Sequence, residues 1–328
     1  MNPTGGTAIL TIAGNGGSTA RTGDIIINGG VMSNVIGART MLVYGTLAAD
    51  SHDTFGTITT NFGSFWADIV GDPGRNARLT FAGITRATGT QLHFGDGTMP
   101  IGTAPITSVE PGIANIEFTN QPTSLMVGEG TLGTRTAPVL PFATVNGLPA
   151  TYDPINGLRA LDTTTEMAEL SSATAGQNAK VTVSGLTTLT SSKTVNSLWG
   201  SSGRVAVGAN TISVTSGAIA ATGNYTIGTS ASDGTIDFGS AEGNIMVEDG
   251  AVLTINSVIT GSGGLTIGLT SATNEAATVV LGGANTFTGL TNITGNNSML
   301  GVTLTNPLAL QNSTVNFKNY GAGLLFGA

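Results

Sequence analysis

The chain of 328 residues contains no cysteine, which excludes disulfide staples and thiolate metal sites. Charged residues make up only 9%, against roughly 25% in an average soluble domain. The 11 Lys and Arg are spread along the chain and the net charge is −8. That is the reverse of the clustered basic patch a nucleic-acid binder needs, and it removes polybasic attachment to an acidic membrane face. No run of about 18 apolar residues occurs, so no helix is expected to span a bilayer. The first ten residues, MNPTGGTAIL, lack a charged stretch followed by an apolar one. Either the protein is not secreted or this is a mature or excised segment. The other end, NYGAGLLFGA, stops within a strand-like pattern, which favours an excised segment.

Helix signals are also scarce. The best candidate is DTTTEMAEL (Asp162 to Leu170), with Thr163 and Glu166 in capping-box spacing. It holds two turns at most, and a plain loop reads equally well.

What is present is glycine, at 49 positions, together with 40% hydrophobic residues in short β-branched runs. Apolar content at that level argues for an ordered β-rich chain over a disordered one. Segments such as AKVTVSG, NYTIG, GTIDFGS and GGLTIG are strands bounded by Gly, Asn, Asp or Ser turns. Alternation, as at Val205-Ala206-Val207 and Leu253-Thr254-Ile255, predicts one buried and one polar face. Val205, Tyr225, Ile245 and Leu265 begin strand runs 20 residues apart. Such a period means stacked repeats. The frames of leucine-rich and hexapeptide repeats are missing. The remaining prediction is an all-β, right-handed parallel β-helix (a solenoid) of about 20–25 residues per coil. Its divisions are a less regular β-helical region over 1–160, a connector over 161–178 and regular coils over 179–328.

The stretch GNIMVEDGAVLTINSVITGSGGLTIGL, followed by VVLGGANTFTGLTNITG, resembles the autotransporter-associated β-strand repeat, also called the passenger-associated transport repeat. Ile259 and Gly261-Ser262-Gly263-Gly264-Leu265 supply the first half of that pattern. Leu281, Gly283 and Asn285-Thr286-Phe287-Thr288-Gly289 supply the second, with Phe287 where tyrosine is common. The intervening LTSATNEAAT departs from the usual lysine–glycine turn, and Leu290-Thr291-Asn292 departs from the usual Gly-Thr-Thr. Segments 79–97 and 141–161 look like those found before such repeats. The resemblance implies a bacterial surface-exposed or secreted β-helix exported within a larger polypeptide whose signal peptide and outer-membrane barrel are not in this segment.

Candidates for chemistry are few. His52 lies between Asp50 and Asp53, a cluster suited to a metal or to acid–base work, or a solvated turn. His93 alternates with Leu92 and Phe94 and is expected to face out of a strand. Asp233, Asp237, Glu242, Glu248 and Asp249 gather in one acidic stretch. A polysaccharide-cleaving β-helix needs carboxylates converging on a groove, and none of these pairs has the coil spacing. A weak Ca²⁺ site at Asp233 or Asp249 competes with a plain Asp-Gly turn. GNGGS (14–18) precedes no helix and reads as a corner. Trp66, Trp199, Phe62 and Phe65 suit either sugar stacking or core packing. No catalytic, cofactor or metal residue is assigned, and no enzyme activity is expected. The reading is a structural or adhesive segment at the bacterial surface, partnered by copies of itself or by surface glycans, with no nucleic acid and no membrane insertion. The alternative is a carbohydrate-active or glycan-binding β-helix.

Overall fold

The computed structural model describes residues 10–13, 18–20, 25–28, 41–44, 50–70, 74–95, 99–270, 275–294, 300–318 and 322–327. Most of the glycine corner at 14–18 lies outside them. The described chain is a parallel β-solenoid of about 11 turns, 51% strand and without an α-helix. It is folded into two arms.

The first arm has three parallel sheets. One joins Leu10–Ala13, Met41–Tyr44, Ser64–Val70 and Gln91–Gly95, a second runs from Ser18–Ala20 to Ala114–Phe118, and a third from Ile25–Asn28 to Ile84–Arg86. Stacked coils place like residues over one another, and here the inward residues are aromatic. Phe55, Phe81 and Phe118 share a register column, with ring centroids 5.5 and 5.9 Å apart. Phe65 and Phe94 form a second pair at 5.7 Å.

An antiparallel meander closes this arm: Leu140–Val145, Leu148–Asp153 and Gly157–Ala160. Its first turn is Asn146-Gly147, with φ of 51° and 74°. Two positive φ values are what a two-residue hairpin of matching twist requires. Tyr152 of the meander ends the aromatic column 5.7 Å from Phe118, and its hydroxyl accepts from the Phe118 N–H at 3.2 Å. The segment 161–178 makes no short helix. Asp162 Oδ1 accepts from the N–H groups of Thr164 and Thr165, and Glu166 Oε2 accepts from that of Asp162. The cap is therefore Asp162 rather than Thr163, and after one turn the chain enters the strand Ala168–Glu169.

The second arm runs back beside the first. Its core columns are aliphatic: Ile219, Ile245, Ile267 and Ile293 on one sheet, and Ile227, Ile255, Leu281 and Leu304 on another. Each buried side chain of this size contributes roughly 1.5–3 kcal/mol. The even spacing of 20 does not survive. Val205 pairs with Ile227, not Tyr225, while Ile245 and Leu265 belong to a different sheet. Corner loops of unequal length absorb the difference, because only strand register must repeat.

The uncharged segment after Val279 occupies such a corner. Asn285 Oδ1 accepts from the Ile259 N–H of one coil at 2.8 Å, and Nδ2 donates to the Ala309 carbonyl of the next at 2.9 Å. The side chain thus does the bonding of a strand that the corner lacks. Phe287 is buried beside it, and a Cβ at Gly283 would meet the Ser257 carbonyl oxygen at 2.4 Å.

The arms meet along a seam. The outer face of Ser64–Val70, Gln91–Gly95 and the meander packs on the outer face of Ala218–Ala221, Gly243–Val247, Leu265–Leu269 and Gly289–Thr294. Ala218, Ala220 and Met246 pack there with Ala137, Val139, Leu161, Met167 and Trp199. Small residues let the sheets approach closely. Both faces of these strands are consequently buried, as the burial of all five residues of Gly243–Val247 and of Leu265–Leu269 records, whereas the alternating strands Arg204–Ala206 and Val252–Ile255 keep the expected single buried face.

Candidate functional site

A polar concavity lies at the closed end, between the meander and the loops around Gly102 and Gly133. Its volume is about 610 Å³, and Asn146, Asp153, Asn156, Arg159, Asp162 and Glu166 are among the residues lining it. The meander supplies Arg159 and Asp153 from paired strands, and the single turn after Asp162 brings Glu166 opposite.

Glu166 is buried at 1% exposure and Arg159 meets it with two bonds, Nη1 to Oε2 at 2.6 Å and Nη2 to Oε1 at 2.7 Å. The same carboxylate accepts from the Gly133 N–H at 2.6 Å and the Asp162 N–H at 2.8 Å. Burial by itself would raise this carboxyl. The Arg159 guanidinium and the two backbone donors outweigh burial and hold it below its ordinary range. Asp153 stands 3.7 Å from Arg159 Nε, and its Oδ1 accepts from the Ile155 N–H. A carboxylate held so firmly in its ionised form is a poor general acid. What the cleft offers a ligand is amide, hydroxyl and carboxylate hydrogen bonding from Asn146, Asn156, Thr165 and Asp162.

One carboxyl is tuned the other way. Glu248 is pushed up to about 7, first by burial and then by the Asp249 charge. It sits at the corner after Gly243–Val247, against the hairpin turn: a Cβ built on Gly147 would lie 3.5 Å from its Cδ and 2.6 Å from Thr222 Cγ2.

The other acidic residues are not brought together. Asp233 accepts from the N–H groups of Gly208 and Thr229 and from the Thr229 hydroxyl. Burial opposes that ionisation, yet these bonds hold its carboxyl low. Asp237 accepts from the Thr260 hydroxyl at 2.7 Å. Glu242 crosses the seam: it accepts from Arg86 Nη2 at 2.7 Å, from the Gly89 N–H at 2.8 Å and from the Thr266 hydroxyl. Arg86 in turn lies over the Phe142 ring at 4.5 Å. No group of three or more His, Asp or Glu that could hold a metal ion occurs among the described residues.

The cluster around His52 is divided by its own strand. Asp50 Oδ1 accepts from the Asn76 N–H at the corner, Asp53 is buried, and His52 Nε2 bonds Thr80 Oγ1 at 3.0 Å. Burial, then the nearby Arg78 charge, lowers the His52 pKa. His93 faces outward from the first arm as expected but is covered by the second, at 1% exposure. The four aromatic candidates pack rather than offer sugar platforms. Trp66, Trp199 and Phe65 are buried, and Phe62 lies under Lys318, whose Nζ is 5.1 Å from the ring centroid.

The cleft residues Arg159, Asp153 and Asn156 carry no sequence signal of chemistry. The turn that positions them does: Val145-Asn146-Gly147-Leu148 is an Asn-Gly hairpin between apolar runs. No family model, no curated protein and no solved structure matches the chain.

Proposed function

We propose that this chain is a structural or adhesive segment of a large bacterial cell-surface or secreted β-solenoid protein, and that it assembles with copies of itself. The observation that carries the reading is the edge strand Leu186–Thr188 of one seven-stranded sheet. Leu186 is 60% exposed there, and the strand contains no charge and no proline, the residues that usually blunt an edge against pairing. A parallel sheet with such an edge can accept a strand of another copy. The resemblance of residues 243–295 to the passenger repeat supports the surface placement.

Electron microscopy over a dilution series tests this. The expected result is filaments or stacked rods that persist on dilution and shorten when Leu186 is changed to Lys. Separate particles at every concentration overturn self-assembly. The closed-end cleft, with its amide and hydroxyl lining, favours glycan binding as the second reading, and a glycan array tests it directly.

A further inference from the structure

The seam contains one ionisable ring at a position that cannot hold its charge. On Gln91–Gly95, Leu92 and Phe94 point into the first arm, so Gln91 and His93 point at the second. Gln91 Nε2 donates to the Thr266 carbonyl at 3.2 Å, and its Oε1 accepts from Thr294 Oγ1 at 3.4 Å. His93 Nδ1 bonds Thr144 Oγ1 at 2.9 Å, its ring stacks 5.6 Å from Trp66, and Nε2 has no partner among the described residues. Trp66 itself packs with the core cluster of the second arm.

Neutral imidazole fits this place as the Nδ1–H tautomer, which donates to Thr144 Oγ1 and leaves Nε2 without a proton. An imidazolium has two N–H donors, and the described residues offer only one acceptor. We propose that the seam is an acid-sensitive joint: protonation of His93 parts the two arms from the Trp66, His93 and Gln91 side, with the apolar cluster of Leu161, Met167, Trp199 and Met246 at the closed end serving as the hinge.

Charges on the elements packed around the ring lie at the rims. Asp68 is on the neighbouring strand of the same sheet, Arg86 and Glu242 form the cross-seam ion pair, and Glu248 and Asp249 end the strand Gly243–Val247. The other neighbouring strand, Leu140–Val145, and the facing strands Leu265–Leu269 and Gly289–Thr294 carry none. Burial alone pushes the His93 pKa down from 6.5 to about 3. A base with a depressed pKa in the closed state favours closure fully above its free value. That contribution drains away as pH falls from 6.5 toward 3. At pH 4.5 the opening equilibrium shifts about a hundredfold relative to pH 7.5.

The test is small-angle scattering and hydrogen exchange of the whole chain between pH 7.5 and 3, beside His93→Gln. In the wild type the largest dimension grows and the amides of 265–269 and 91–95 lose about a hundredfold of protection at pH 4.5, after correction for intrinsic exchange. His93→Gln stays closed over the same range, although Glu248 still titrates in it. An unchanged wild type down to pH 3, or an identical transition in His93→Gln, overturns the proposal. If His93→Gln does not fold, the wild-type ring decides by NMR. A His93 that titrates near 6.5 while scattering stays constant overturns it, and one that titrates only as the arms part supports it.

Discussion

The first arm fills its interior with stacked rings and the second with stacked aliphatic columns, although both are solenoids of parallel strands. Phe55, Phe81 and Phe118 need a wide cross-section and meet offset, with their planes 28° apart, the kind of geometry aromatic pairs prefer. Ile219, Ile245, Ile267 and Ile293 need less room, and β-branched side chains suit a pleated surface. The difference teaches that one parallel scaffold accepts either kind of core column, because only the strand register has to repeat. Stability is local in both arms, since each coil touches mainly its neighbours. An aromatic column concentrates that stability in few residues, whereas an aliphatic column spreads it over many.

The contrast can be broken most directly at Phe81, which has a ring on either side. Phe81→Ala is expected to cost about 3–5 kcal/mol, read as a lower urea midpoint with loss of the first arm before the second. A cost under about 1 kcal/mol would mean that the rings do not act as one column. Next in size is the closed end, common to both arms. Glu166→Gln takes from the Arg159 guanidinium its two-point partner and leaves it only Asp153 at 3.7 Å, and breaking a buried pair costs about 3 kcal/mol, measurable by the same denaturation. An unchanged midpoint would show that water serves Arg159 equally well.

In the aliphatic arm the loss is smaller. Ile245→Val removes one methylene between Ile219 and Ile267 and should cost about 1 kcal/mol, with no change in the unfolding of the first arm. A first arm that weakens equally would mean that the two unfold as a unit. The last effect is confined to high pH and is expected at Glu248, which is half-buried. Its carboxyl has a folded-state pKa of about 7, above the ordinary 4.5. Ionisation therefore costs the folded state stability above pH 7, and that cost vanishes as pH falls toward 4.5. Glu248→Gln should stabilise the protein at pH 8 and leave it unchanged at pH 4; equal effects at both values would discard the assignment.

Much of the fold was legible in the residues. Short β-branched runs between glycines specify strands, and recurrence of those runs specifies stacking. The phase was harder. Val205 and Tyr225 lie on one sheet and Ile245 and Leu265 on another, so an even spacing of strand starts arose from two sheets read as one. Two-sided burial was visible in GNIMV and LTIGL, where an apolar or small residue stands at most positions instead of strict alternation. The return of the chain was announced only by Asn146-Gly147. The pairing of Arg86 with Glu242 and of Gln91 with Thr294 has no counterpart in sequence pattern, because docking depends on face-to-face shape and not on local propensity. The cleft was illegible for the same reason: Glu166 reads as a capping-box partner of Thr163, and nothing in the sequence links it to Arg159 until the meander and the Asp162 turn bring them together.

The seam also sets an order of events in time. Gln91 and Thr294 are 203 positions apart in the chain, and contacts of such separation form late because the intervening loop must close first. During synthesis the first arm emerges and folds before the residues that will cover His93 exist. For that interval the ring and Trp66 stand in water, where the imidazole titrates as an ordinary histidine. If the seam is the acid-sensitive joint proposed above, the pH met by the growing chain governs the last step of its folding, the closing of the second arm onto the first.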